Sequence, residues 1–137
     1  MKAFDNSEFK NYQDEVHEKW GNTDAYQEYE KKTKTYSQQK WNALAEGLDC
    51  IMAEFAVCMK KDEAPNSAEA QKLVKTLQTY ITENYYVCTN EILVGLGQMY
   101  VADERFKNNI DKHAKGTAKF ICDAIKAINK MEFEEVN

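Results

Sequence analysis

The chain has 137 residues, 43% hydrophobic and 30% charged, with a net charge of −5. At that length one core can bury roughly two thirds of the surface exposed by the unfolded chain, so a single globular domain is expected over residues 1–137. Five Gly and one Pro are too few for the many tight turns of a sandwich or barrel, which leaves an all-α domain. The acidity, with a pI near 5.1, excludes the basic surface that exchanges counterions with phosphates, so this chain alone is not expected to bind nucleic acid.

No apolar run approaches the roughly 20 residues that span a bilayer, and the opening stretch 1–10 lacks the apolar core of a signal peptide. A cytoplasmic protein with no membrane partner is expected. In that compartment Cys50, Cys58, Cys88 and Cys122 read as free thiols rather than a disulfide framework. No CxxC pair occurs and His17 and His113 lie far from any Cys in sequence, so no metal site is expected. Cys50, Cys58 and Cys122 read as buried core thiols.

Residues 1–36 are polar but threaded with Phe4, Phe9, Tyr12, Trp20, Tyr26, Tyr29 and Tyr36, with Val16 almost alone as an aliphatic residue. Two short helices, 7–19 and 23–34, are predicted there, broken at Trp20-Gly21-Asn22, with Asn22 or Thr23 capping the second. Their anchorage to a core should be weak unless something covers the rings. Ser37 then caps a helix over 38–61, whose Trp41, Leu44, Leu48, Met52, Phe55 and Met59 recur every three or four residues as one apolar face. The segment Asp62-Glu63-Ala64-Pro65-Asn66 ends it, since Pro cannot continue a helix, and Asn66 with Glu69 has the form of a capping box opening a helix over 67–84 that buries Leu73, Val74, Leu77, Tyr80 and Ile81.

Thr89 caps a helix over 90–101 whose Ile92, Leu93, Leu96, Met99 and Tyr100 cover most of its circumference, the pattern of a central helix. A short helical turn follows from Asp103-Glu104 through Phe106 and Ile110. Beyond the flexible Lys115-Gly116 the last helix, 117–131, carries Phe120, Ile121, Ala124, Ile125, Ile128 and Met131. Residues 132–137 read as a frayed acidic tail.

Catalytic patterns are scarce: no GxSxG, HExxH, glycine-rich phosphate loop or ExxH pair is present. Asp14 and His17 share a predicted helical face but read as a solvated pair, and His113 as a cation near a helix C-terminus. The segment that stands out contains Gly95 and Gly97 inside an apolar helix, where each costs about 1 kcal/mol relative to Ala. Either a neighbouring helix backbone comes close, or the missing side chains leave room for a ligand. In the second case Cys88, seven residues before Gly95, would share its face, with Ile92 and Met99 flanking an apolar, adaptable groove.

Four runs carry a resemblance: Trp20-Gly21-Asn22-Thr23-Asp24-Ala25-Tyr26; Thr33-Lys34-Thr35-Tyr36-Ser37 followed by Trp41; Tyr85-Tyr86-Val87-Cys88; and Leu96-Gly97-Gln98-Met99-Tyr100-Val101-Ala102-Asp103-Glu104-Arg105-Phe106. Over nearly the whole chain these resemble the TipAS antibiotic-recognition domain, the drug-sensing half of some MerR-type activators. The resemblance implies a globin-like helical fold without haem or other cofactor, whose N-terminal helices close over thiopeptides or other bulky apolar drugs. It also implies that a DNA-binding domain is fused to such a sensor in the full-length protein. One position departs from the family: the cysteine that captures a drug dehydroalanine in the thiopeptide-binding prototype is matched here by Gly95, so binding should be reversible. Cys88 matches a family cysteine and is either buried or made reactive by the nearby helix N-terminus.

The sequence thus points to a non-enzymatic domain that binds antibiotics or drug-like molecules, as the effector half of an activator or as a stand-alone sequestering protein. Trp20, Tyr26, Tyr86, Cys88, Ile92, Gly95, Leu96 and Met99 are the expected ligand-binding residues. Residues 1–36 would be a mobile lid and 37–131 the core. The alternative is a helical protein-interaction module that takes no drug.

Overall fold

The computed structural model describes the backbone of residues 23–136 and the side chains of 23–128. The expected helix at 7–19, the Asp14–His17 pair and Trp20 lie outside the described residues. Six helices follow in order: α1 (Asp24–Thr33), α2 (Gln38–Lys60), α3 (Ala68–Asn84), α4 (Asn90–Ala102), α5 (Glu104–Asp111) and α6 (Thr117–Val136). No strand occurs among the described residues.

The caps explain where these helices begin. Thr23, Ser37, Ser67 and Thr89 each accept, through the hydroxyl oxygen, the N–H three residues on, which satisfies one of the four donors left over at a helix start. The cap of α3 is therefore Ser67, not Asn66. α2 stops at the segment 62–66 as expected, and within it the turn is made by Asp62, whose φ of +62° is left-handed, before Pro65 is reached. A residue in that conformation ends a helix by redirecting its last N–H groups to earlier carbonyls, as the Asp62 N–H does in donating to Met59 O at 3.0 Å. α6 continues through Val136 rather than ending at 131.

Packing follows the apolar stripes. Leu44, Met52 and Phe55 of α2, Val74, Leu77 and Ile81 of α3, and Ile121 and Ile125 of α6 are buried. The hub, however, is α6, which packs against α2, α3, α4 and α5, most extensively against α4. The apolar circumference of 90–101 predicts α4 at the centre, but only Leu93, Gly97 and Tyr100 of α4 are buried. Small residues decide the matter: Ala118, Cys122 and Ala124 alternate with isoleucines on α6, so neighbouring helices can close on it from several sides.

Turns are fixed by polar side chains. Arg105 folds back on its own cap, donating from Nη2 to Asp103 Oδ2 at 2.6 Å and from Nε to Oδ1 at 3.0 Å, and these bonds hold the Asp103 carboxyl below its ordinary range. His113 sits at 2.8 Å and Lys112 at 3.4 Å from the same Oδ1 of Asp49, tying the turn after α5 to α2. His113 thus pairs with a carboxylate distant in sequence rather than resting at a bare helix end. Among the described residues α1 stands apart from the extensive helix packing; Thr33 is its one buried residue.

Candidate functional site

What α1 does have is rings. Tyr26 and Tyr29, three residues apart, share one face of the helix, and their centroids lie 5.5 Å from each other. Tyr29 in turn lies 6.3 Å from Trp41, 6.3 Å from Tyr85 and 6.5 Å from Tyr86. Trp41 stacks on Tyr85 at 6.1 Å with an interplanar angle of 28°, and Tyr36 meets Trp41 edge-on at 5.5 Å. Each such pair is worth about 0.5–1.5 kcal/mol beyond the area it buries. Burial, reinforced by the surrounding phenols of Tyr80, Tyr29 and Tyr36, pushes the Tyr85 hydroxyl well above the ordinary tyrosine range.

A second surface lies on α4. Ile92, Gly95, Leu96 and Met99 fall at i, i+3, i+4 and i+7, one face of a helix. Ile92, Leu96 and Met99 are half-buried against the edge of the core, and Gly95 is exposed. A Cβ at position 95 would meet nothing within 4 Å, whereas one at 97 would come within 3.1 Å of Ile125 Cδ1 and 3.4 Å of Cys122 Cα. The two explanations for the glycines therefore divide between them: close approach of α6 accounts for Gly97, and open space surrounds Gly95. The apolar strip beside Gly95 remains partly open to solvent.

Cys88 does not join that strip. It precedes the start of α4 at Asn90, so helical spacing does not carry its side chain to the Gly95 face. It is 4% exposed and part of the core, with its backbone held by Thr82 Oγ1, which accepts from the Cys88 N–H at 3.1 Å, and by Gln78 Nε2, which donates to its carbonyl at 2.8 Å. Burial pushes the thiol up to about 11. Of the two readings of Cys88, the structure therefore favours the buried thiol over one activated by the helix N-terminus, since burial disfavours the thiolate. Cys50 departs from expectation in the other direction: it is exposed, while Cys58 and Cys122 are buried.

These positions predict an order of reactivity. At pH 7 a thiol of pKa about 11 is ionised in about one molecule in 10⁴, so iodoacetamide should label Cys50 first and Cys88 only when the protein unfolds, as read by peptide mass mapping. The sign for stability follows. A thiol whose folded pKa is raised favours folding fully below the unfolded value near 9, and that contribution is lost as pH climbs towards 11. Cys88→Ala should flatten the fall in melting temperature between those pH values.

Of the expected ligand-binding residues, the structure brings Tyr26 and Tyr86 into the ring cluster through Tyr29, and gathers Ile92, Gly95, Leu96 and Met99 on one face of α4. Cys88 is buried in the core against which both sets are packed. Tyr29, Trp41 and Tyr85 were not among the expected residues; Trp41 fits the apolar stripe of α2 and so reads as core. Among the described residues no group of three or more His, Cys, Asp or Glu is placed to hold a metal ion, and no helix is long and apolar enough to cross a membrane.

Among the described residues every regular element is a helix, which places the chain in the all-α class. The family model described as the TipAS antibiotic-recognition domain matches residues 12–128. The chain belongs to that family. It is 38% identical over 116 residues to the HTH-type transcriptional activator TipA of Streptomyces coelicolor and equally to that of Streptomyces lividans, an alignment covering 85% of this chain and 46% of each relative. It is 37% identical over 114 residues to the HTH-type transcriptional activator mta of Bacillus subtilis, covering 83% of this chain and 43% of mta. The chain thus spans less than half the length of the curated relatives it matches. The solved structure of Streptomyces lividans TipAS in complex with nosiheptide superposes with a TM-score of 0.77 at 37% identity, covering 86% of this chain and 82% of that one. The fold is accordingly the globin-like helical one.

Proposed function

We propose that this domain binds thiopeptides and other bulky apolar antibiotics without transforming them, as the cytoplasmic effector domain of a transcriptional activator. The observation that carries the reading is the ring cluster joining α1 to the core, because it gathers rings from α1, α2 and the Tyr85–Tyr86 turn at one junction on which a large flat ligand stacks. Tyr26 and Tyr86 offer rings, and Ile92, Leu96 and Met99 offer an adaptable apolar wall with a vacancy at Gly95. Trp20 belongs to the same set by resemblance. Residues 1–36 act as the lid over a core that begins at residue 37 and includes α6.

Binding is reversible on this reading. Capture of a dehydroalanine requires a thiol, position 95 has none, and the Cys88 thiol is buried and neutral. Support for the ligand class comes from the relatives: TipAS has been solved with nosiheptide, and TipA and mta are transcriptional activators. In a thermal-shift titration, nosiheptide at about 100 times its Kd should stabilise the domain by about 2.7 kcal/mol, and intact-mass analysis after denaturation should return the unmodified chain. No shift with nosiheptide or with a panel of apolar antibiotics would sink the drug reading and favour the protein-interaction module.

A further inference from the structure

Glu28, Lys32 and Tyr36 recur every four residues, and all three reach the backbone of one short stretch, 82–87. The Val87 N–H donates to Glu28 Oε1 at 2.8 Å, Lys32 Nζ donates to the Thr82 carbonyl at 3.1 Å, and the Tyr36 hydroxyl donates to the Asn84 carbonyl at 2.7 Å. Thr82 and Asn84 lie in the last turn of α3, whose final four carbonyls have no partner within the helix. Of these, Ile81 O accepts from the N–H groups of Tyr85 and Tyr86 at 2.8 and 3.2 Å. Lys32 and Tyr36 serve two of the others, so side chains from the α1 region complete the end of a helix some 50 residues away in sequence. The Lys32 cation also sits at the negative end of the α3 dipole.

The same stretch carries Tyr85 and Tyr86, on which the Tyr29 ring rests. Ring contacts tolerate sliding, because their energy varies slowly with offset. Three hydrogen bonds to three different backbone groups do not, because each demands its own distance and angle. We propose that Glu28, Lys32 and Tyr36 are positioning residues, a polar clasp that fixes α1 in register on the Tyr85–Tyr86 turn and governs how fast a ligand held beneath α1 leaves. The second half of that statement rests on the drug-binding reading above; the first does not.

The test compares amide exchange in the ligand-free full chain for wild type, Glu28→Ala, Glu28→Gln and Tyr36→Phe. Wild type should protect the α1 amides. Glu28→Ala and Tyr36→Phe should each speed their exchange roughly two- to five-fold, leaving the Leu93 and Ile121 amides of the core unchanged. Glu28→Gln should keep wild-type protection, since its side-chain oxygen still accepts from Val87, and Tyr36→Phe keeps its ring on Trp41, so neither result follows from lost packing. Unprotected α1 in wild type, unchanged exchange in Glu28→Ala and Tyr36→Phe, or Glu28→Gln exchanging as fast as Glu28→Ala would overturn the clasp. Nosiheptide should then dissociate faster from Glu28→Ala by the same factor, and an unchanged rate would overturn its part in ligand retention. Failure of nosiheptide to bind wild type would sink the drug reading instead, while exchange still decides the clasp.

Discussion

Gly97→Val should cost the protein about 1–3 kcal/mol of stability, the range for forcing methyl groups into a packed interface, while Gly95→Ala, two residues away, should add about 1 kcal/mol by relieving the helix of a glycine. Helix propensity favours replacing either glycine, and geometry decides which replacement is tolerated. A Cβ at 97 points at α6, where Ile125 Cδ1 can swing aside but the Cα of Cys122, 3.4 Å off, belongs to the backbone of the hub helix. A Cβ at 95 points into open space. Urea denaturation of the two variants reads the contrast directly. Equal destabilisation by both would mean that α4 is not oriented as described.

On the drug-binding reading proposed above, Gly95→Cys should make the capture of a thiopeptide covalent. Incubated with a thiopeptide that carries a dehydroalanine, the variant should gain the mass of one drug molecule and keep it through denaturation, while wild type gains nothing. The step is an addition: the sulfur bonds to the terminal methylene of the dehydroalanine, the π pair moves to the α-carbon, and that carbon takes up the proton the thiol gives up. Nothing leaves and nothing is oxidised. Wild type serves as the internal control, because it keeps all four of its own thiols, including the buried Cys88 and the exposed Cys50. An adduct of equal yield on wild type would refute the reversible reading; its absence on both would show that the ligand does not approach Gly95.

Much of this architecture was legible in the residues because its determinants are local. The stripe from Trp41 to Met59, the cap residues Thr23, Ser37 and Thr89, and the acidic start at Asp103 each act within a turn or two of themselves. The failures have a common cause. Asn66 and Ser67 are both good caps, and which hydroxyl or amide meets the free N–H is settled by how α3 packs. The choice between α4 and α6 as hub turned on small residues, which carry little hydropathy signal, rather than on the breadth of the apolar face. His113 finds Asp49 across 64 residues, and Tyr29 finds Tyr85 across a similar gap. The clasp was the least readable feature, since the groups that Glu28, Lys32 and Tyr36 seek are backbone carbonyls and an N–H that any residue would supply. The site divides in the same way: the strip at Ile92, Leu96 and Met99 follows from helical spacing, whereas the ring cluster needs three elements brought together.

Trp41 stacked on Tyr85, with Tyr29 and Tyr36 also against its ring, has a consequence of another kind. Light absorbed by those tyrosines passes to the indole by resonance transfer at such short range, and aromatic rings locked at fixed angles in a chiral setting give strong near-ultraviolet circular dichroism. The junction between α1 and the core is therefore its own optical gauge. Any event that lifts α1 away from Trp41 takes the Tyr29 ring with it and leaves Tyr85 stacked on the indole, so opening and closing register as a change in near-ultraviolet ellipticity with no label attached.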